Sequence, residues 1–106
     1  MICRVWHGWA TRQNAAAYER IVRGEVIPAI EARNIPGFRH IDLLRRENGD
    51  EVEFTTMMWF DSLDSVRDFM GEDYSVSHVP SAARVVLSRF DERASHYQVV
   101  ERRPQG

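Results

Sequence analysis

The Asn48-Gly49 pair constrains the fold of this chain more than any other feature of the sequence. It separates two β-prone runs, and both residues tolerate the positive φ angles of a type I′ turn. A long antiparallel hairpin is therefore predicted here. Counting outward from a two-residue loop pairs Arg46 with Glu51 beside the turn and Phe38 with Trp59 at the far end.

The predicted hairpin has apolar residues on both faces at the end far from the turn, and charged residues near the turn. Both faces are therefore expected to be covered at one end and exposed to water at the other. A single layer of helices covers only one of the two faces.

A strand and a helix precede the hairpin. Residues 2–10 are rich in Val, Ile and Trp and predict a central strand. Thr11 is a suitable N-cap for a helix that follows. Apolar residues at steps of three or four predict that this helix lies on the sheet: Ala15, Tyr18, Val22, Val26 and Ala29. Because its ring would meet the carbonyl of Gly24, Pro28 predicts a kink or an early end.

A short helix, a loop and a last strand follow the hairpin. Asp61 or Ser62 is the expected N-cap of an amphipathic helix that ends before Gly71. Pro80 suits the first turn of another short helix, and residues 94–100 predict the final strand. The order is the ferredoxin-like βαββαβ plan, an α+β fold with helices on one face of an antiparallel sheet.

Composition is that of an ordinary globular protein and predicts one domain over residues 1–106. The net charge of -2 gives no basis for a nucleic-acid or membrane-surface partner. Cys3 is the only cysteine, which excludes an internal disulfide and fits a small core residue in a cytoplasmic protein. No apolar run approaches the roughly 18 residues of a membrane span. The four histidines lack the paired spacing of a metal site.

The second face of the predicted sheet has no helices left to cover it. It would expose a patch with Trp, Met, Phe and Ile side chains, and patches of that kind are typical of interaction surfaces. We therefore expect a homodimer in which two copies bury this face against each other.

Four features of the sequence occur together: the element order, Trp59 followed by "DSLDSVRDF", "IPGF" before the second strand, and a histidine-containing loop. Together they resemble the dimeric α+β barrel superfamily, in particular the antibiotic biosynthesis monooxygenase domains. The resemblance covers nearly the whole chain. It implies a barrel formed by two sheets across a dimer, with a pocket in each subunit between its sheet and its helices.

The resemblance also implies a range of activities. Some members oxidise polyphenolic substrates with oxygen and without a metal or organic cofactor, others open haem, and many have no known activity. The reaction favoured for this chain needs no cofactor and no metal.

His78 is the first candidate for a catalytic residue, because it is similar in position to a histidine of the family. An imidazole can accept a phenolic proton near neutral pH and so give an electron-rich phenolate that reduces oxygen. The alternative is structural, since His78 lies just before a helix start, where a polar side chain often satisfies backbone donors or faces water.

Tyr74 and His7 are the predicted orienting residues. Tyr74 could donate a hydrogen bond to a quinone-like substrate, or pack its ring over a core edge with its hydroxyl in water. His7 shares one face of the first strand with Trp9, and Trp59 ends the third strand. Aromatic rings around an imidazole suit a flat aromatic ligand, and they equally suit core packing.

Phe69 is the third expected pocket-wall residue, beside the two tryptophans. The haem-opening branch of the family carries an Asn on the first strand, a Trp on the second helix and a His shortly after. His78 matches that His, whereas Phe69 stands at the Trp position and His7 or Gly8 near the Asn position. Haem ligation by His78 is therefore the lesser alternative.

Two functions stay open from the sequence. The first is a cofactor-independent monooxygenase acting on a small aromatic or polyketide-like substrate. The second is a noncatalytic dimeric barrel that binds a small apolar molecule, or nothing, as an accessory or stress protein. The first requires a cavity that admits a fused ring within hydrogen-bond reach of His78, whereas a filled core favours the second.

Overall fold

One antiparallel sheet with helices on a single face forms the framework of the computed structural model, which describes residues 1–106. The elements are β1 (Ile2–Thr11), α1 (Arg12–Ile21), a π-helical turn (Val22–Val26), α2 (Ile27–Glu31), β2 (Phe38–Asn48), β3 (Glu51–Phe60), α3 (Leu63–Met70), α4 (Ser81–Arg84), β4 (Arg89–Phe90) and β5 (Ser95–Gln98). Strands β3 and β1 occupy the centre, β2 pairs with β3, and both β4 and β5 pair with β1. The predicted α+β class and ferredoxin-like order are confirmed, and the short strand β4 is an addition.

The hairpin forms where predicted, but its loop is Gly49-Asp50. Asn48 pairs with Glu51, and Arg46 lies opposite Glu53 instead of Glu51. Gly49 has a φ of 64°, whereas Asn48 does not have a positive φ and continues the strand. The predicted register is therefore wrong by two residues. Because side chains alternate with a period of two, every residue near the turn still lies on its predicted face.

A bulge changes the far end of the hairpin. The register shifts between Phe38 and His40, so Phe38 lies opposite Phe60 and not opposite Trp59 as predicted. The extra residue, Arg39, turns Phe38 toward the helices, where its ring centroid lies 5.3 Å from that of Phe60.

The long helical segment begins at a confirmed cap, since the Thr11 hydroxyl accepts a hydrogen bond from the Asn14 amide at 3.2 Å. The predicted kink takes the form of the π-helical turn, in which the Ile27 amide donates to the carbonyl of Val22, five residues earlier. This wider turn lets the chain pass Pro28 and continue as a helix.

Helix α3 has the predicted ends. The Ser62 hydroxyl accepts a hydrogen bond from the Ser65 amide, and Gly71 follows the helix with a φ of 89°. Pro80 is the N-cap residue of α4 and not a residue of its first turn, and β5 is shorter than predicted. None of the helices combines the length and the apolar character needed to cross a bilayer.

Two apolar clusters form between the sheet and the helices. The first cluster is Trp6, Ala10, Ala15, Tyr18, Val22, Val52, Phe54, Ala83 and Ala94. The second cluster is Ile30, Ile35, Met58, Phe60, Val66 and Phe69. Even-numbered residues of β1 and β3 supply the sheet side of this core, and the odd-numbered residues lie on the opposite, outer face. Cys3 is the exception on the outer face, because it is 6% exposed, as expected for a small buried residue.

Replacing Gly37 with alanine tests the connection before β2. Gly37 has a φ of 80°, and a Cβ there would overlap the Ser65 hydroxyl and lie 3.1 Å from the Ser65 Cβ. We expect Gly37→Ala to lower the free energy of unfolding by about 1–3 kcal/mol, measured by urea denaturation.

Gly24→Ala is the matched control, because a Cβ at this helical position would meet nothing within 4 Å. We expect it to raise the free energy of unfolding by about 0.5–1 kcal/mol. Equal effects of the two substitutions would contradict the structural distinction between these glycines.

Candidate functional site

A small cavity lies on the helix-covered side of the sheet, where the two apolar clusters meet. Its volume is about 50 Å³, and 11 of its 15 lining residues are hydrophobic. Trp6 and Tyr18 reach it from the first cluster, and Ile30 and Phe69 reach it from the second. A molecule bound there would therefore meet apolar groups over most of its surface.

The π-helical turn forms one wall of the cavity. Val22 and Val26 of the turn line it, together with Ile27, the first residue of α2. Turns of this kind are rare within helices and are frequent at functional sites. The local distortion that passes Pro28 thus also shapes the cavity.

His78 lies at the rim of the cavity, with part of its side chain exposed to solvent. Its ring centroid lies 5.2 Å from that of Phe69, and its imidazole has no hydrogen-bond partner in the protein. Helix α4 has no side-chain cap, so His78 does not cap it, but the side chain is exposed, as in the alternative in which His78 faces water. Its ring nitrogens are available to a ligand.

The surroundings of His78 favour the neutral imidazole. Partial burial lowers the pKa of His78, and the positive charges of Arg33 and Arg4 lower it further. Solvent at the exposed side of the ring screens these charges. A neutral imidazole is the form that can accept a proton.

Arg4 is a functional candidate that the sequence reasoning missed. Its side chain is 3% exposed and lines the cavity. The guanidinium donates to the carbonyls of Tyr74 at 2.5 Å and Val76 at 2.8 Å, and to the imidazole of His96 at 3.0 Å. None of the ion pairs of the chain includes Arg4. The cavity therefore has a buried cation without an anionic partner.

Burial determines the charges of Arg4 and His96. Burial lowers the pKa of Arg4 to about 10, so the guanidinium stays charged at neutral pH. Burial and the charge of Arg4 lower the pKa of His96 to about 4. His96 is therefore neutral at pH 7, and its Nε2 accepts the hydrogen bond from Arg4.

Tyr18 is the second residue that the sequence reasoning missed, because its position in the apolar stripe indicated packing alone. It is 3% exposed, and its ring packs against Phe54 at 4.7 Å. The hydroxyl has no hydrogen-bond partner, although every fully buried side-chain polar atom in the structure has one. The hydroxyl therefore adjoins open space, and the cavity is the space that Tyr18 lines. Burial raises the pKa of Tyr18, which keeps it a donor.

Tyr74 does not line the cavity. Its ring lies edge-on to that of His96 at 5.1 Å, and the guanidinium of Arg67 lies 5.3 Å from its centroid. The structure thus shows the packing alternative for this side chain, while its carbonyl binds Arg4.

His7, Trp9 and Trp59 lie on the outer face of the sheet. The imidazole of His7 binds the carboxylate of Asp91 at 2.7 Å and stacks on Trp9 at 6.0 Å, and the ring of Trp59 contacts His40. The sheet separates this group from the cavity, because odd and even residues of a strand point to opposite faces. The structure does not bring these three residues together with His78.

Of the six residues predicted for the site, His78 and Phe69 line the cavity. The alternation of side chains along β1 could have identified Arg4 and Trp6, since both lie on the face opposite to that of His7. The structure contains no cluster of three His, Cys, Asp or Glu residues that could hold a metal ion. A tetrapyrrole does not fit either, because pockets for ligands of even drug size measure roughly 300–1,000 Å³.

The fold and the cavity define a ferredoxin-like α+β protein with a small apolar pocket beneath its helices. A similar fold occurs in the crystal structure of a candidate antibiotic biosynthesis monooxygenase from Bacillus cereus, with a TM-score of 0.65 and 11% sequence identity. The similarity covers 99% of this chain and 96% of that chain, and it confirms the predicted fold. No protein-family model and no curated protein matches the sequence. The ligand and reaction must be argued from the site itself.

The pKa of His96 predicts how stability depends on pH. Because folding lowers this pKa from 6.5 to about 4, the unfolded chain binds the proton more readily than the folded chain. Stability is therefore retained above pH 6.5 and falls as the pH drops toward 4. We expect His96→Gln to reduce this loss by about 1 kcal/mol after allowance for solvent screening, measured by urea denaturation at pH 7 and pH 5.

Ser95→Ala is the control for this measurement, because Ser95 is exposed beside His96 on β5 and carries no group that titrates between pH 5 and pH 7. It is expected to keep the pH dependence of the wild type. A pH dependence unchanged in His96→Gln would show that the Arg4–His96 contact does not control acid stability.

Proposed function

We propose that this chain is a cofactor-independent monooxygenase that oxidises a small aromatic compound. The observation that carries the proposal is the unpartnered imidazole of His78 at the rim of an apolar cavity. The fold shared with the Bacillus cereus protein is consistent with this class of reaction.

The size of the cavity restricts the substrate. A volume of about 50 Å³ corresponds to a few water molecules and lies well below the roughly 300 Å³ of a typical ligand pocket. The cavity thus does not meet the fused-ring condition stated in the sequence analysis, so fused polyketide-like compounds are not proposed as substrates. The proposal is restricted to a substrate with one ring, such as a hydroquinone.

The proposed reaction begins with proton transfer. His78 accepts a phenolic proton, and the resulting phenolate transfers an electron to oxygen. Recombination on the ring forms a C–O bond to a peroxide, and His78 returns its proton to the outer oxygen. The ring C–H proton then passes to His78 as the O–O bond breaks, which leaves a new C=O group, and the departing hydroxide takes that proton to become water. For a hydroquinone the products are a hydroxyquinone and one molecule of water. The substrate supplies all the electrons, so no external reductant enters.

The second candidate function is a noncatalytic dimeric barrel that binds a small apolar molecule. The size of the cavity is compatible with this function too, because a small apolar space can hold a small apolar molecule or stay empty. The two candidates differ in whether oxygen is consumed.

A homodimer is part of the proposal. Val5, Met57 and Trp59 on the outer face are only partly buried, and Tyr97 beside them is 58% exposed. A second copy would remove this apolar surface from water. Since the outer face is opposite the cavity, each subunit would keep its own site.

Oxygen uptake tests the reaction. We expect wild-type protein to consume oxygen with single-ring hydroquinones faster than with anthrones, because the cavity is small. His78→Ala should lower the rate by about 10²–10⁴-fold, the usual contribution of a general base. The rate should also fall as acid protonates His78, whose pKa is lowered from its ordinary value of 6.5.

His40→Ala is the matched control, because His40 lies outside the cavity, on the outer face of β2. It is expected to keep the wild-type rate. Equal rates in wild type and His78→Ala would remove His78 from the mechanism, and no uptake by either protein would favour the binding function.

Light scattering tests the dimer. We expect a mass of about twice 12.4 kDa and a shift toward the monomer in Tyr97→Glu, which would place a charge within the apolar contact. Arg20→Glu, on the exposed side of α1, should leave the dimer intact. A wild-type protein that stays monomeric at high concentration would contradict the proposal.

A further inference from the structure

The buried charge of Arg4 has no anionic partner within the chain. Its hydrogen-bond partners are the carbonyls of Tyr74 and Val76 and the neutral imidazole of His96, and the face of the Phe69 ring lies 5.5 Å from its guanidinium. These hydrogen bonds hold the loop after α3, but a charge removed from water is costly unless an opposite charge compensates it. An anion from outside the protein would supply that compensation.

The guanidinium also has unused donors. Arginine carries five N–H groups, and three are used by the protein partners of Arg4, which leaves the Nε–H and one Nη2–H. Every fully buried side-chain nitrogen and oxygen in the structure has a partner, so the Nε atom is not sealed inside the protein. Arg4 lines the cavity, and we infer that its free donors meet a ligand there.

No acidic side chain lines the cavity. The guanidinium of Arg33 lies 5.2 Å from the centroid of the Phe69 ring, and that of Arg4 lies 5.5 Å from the same centroid. The potential in the cavity is therefore positive, and its apolar walls screen that potential far less than water does.

We propose that the cavity binds its ligand as an anion, with a phenolate oxygen on the free N–H donors of Arg4. The Tyr18 hydroxyl, which also lacks a protein partner, supplies a donor for a second polar atom of the ligand. This inference deepens the proposed function, because the phenolate made by proton transfer to His78 is the species that Arg4 would stabilise. Anion binding can nevertheless be measured without oxidation.

The test uses 4-nitrophenol, whose phenolate absorbs at a longer wavelength than its phenol. Absorbance titration with and without excess protein gives the pKa of the bound and the free phenol. We expect binding to lower the phenol pKa by about one unit, equal to tenfold tighter binding of the anion. The neutral isostere 4-nitroanisole should bind at least tenfold more weakly than 4-nitrophenolate. Benzoate, another anion, should compete with 4-nitrophenolate for the cavity.

Four variants identify the group responsible. His78→Phe should keep the lowered phenol pKa, which excludes an ion pair with a protonated His78 as its source. Arg33→Gln should remove only a small part of it, because Arg33 is exposed and solvent screens its charge. Arg4→Gln should abolish it, while Arg4→Lys should retain part of it, since the charge remains and the paired donors are lost.

The outcomes that contradict the proposal are separate from failure of the oxidation. Equal affinity for nitroanisole and nitrophenolate, no saturable binding of nitrophenolate, or a lowered pKa that survives in folded Arg4→Gln would each overturn it. If Arg4→Gln lacks the near-ultraviolet dichroism of a folded protein, the comparison of wild type, His78→Phe and Arg4→Lys decides the result. Oxygen uptake without preferential binding of the anion would support the proposed function and contradict this inference. Preferential binding of the anion without oxygen uptake would support this inference and contradict the proposed function.

Discussion

The position of the candidate base depends on the hydrogen bonds between Arg4 and the loop after α3. The guanidinium binds two carbonyls of that loop, those of Tyr74 and Val76, and so attaches it to the central strand β1. The indole of Trp6, two residues along the same strand, donates to the Ser77 hydroxyl at 3.0 Å. These contacts hold the backbone immediately before His78. Fold stability and the electrostatics of the cavity therefore share one charged side chain.

Alternation along β1 divides the molecule into two surfaces with different roles. Arg4 and Trp6 point toward the helices and the cavity, whereas Val5, His7 and Trp9 point to the outer face. The outer face is available to a second chain without competition from a ligand. Both faces of β1 therefore carry polar and aromatic side chains. The sequence alone does not distinguish the face that lines the cavity from the outer face, and the predicted site residues His7 and Trp9 lie on the outer one.

The sequence predicted the elements well because their signals are local. The caps at Thr11 and Ser62 and the stop at Gly71 involve residues only a few positions apart. The bulge that turns Phe38 inward depends on packing against a neighbouring strand, which no local pattern contains. The partners of Arg4 are about seventy and ninety residues away along the chain, so its burial could not be derived from its neighbours. The alternation of side chains along β1 places Arg4 and His7 on opposite faces of the sheet. Which of the two faces is covered depends on where the helices pack.

The same cation affects both partners of the proposed proton transfer, and the two effects differ in size. Arg4 disfavours a protonated His78, yet burial and Arg33 both lower that pKa more than Arg4 does. A phenolate oxygen on the free donors of Arg4 would lie at hydrogen-bond distance from the charge. Because Coulomb energy falls with distance, and more steeply where solvent screens it, the guanidinium would stabilise the phenolate more than it destabilises the imidazolium at the solvent-exposed rim. The net effect favours movement of the proton from the phenol to His78.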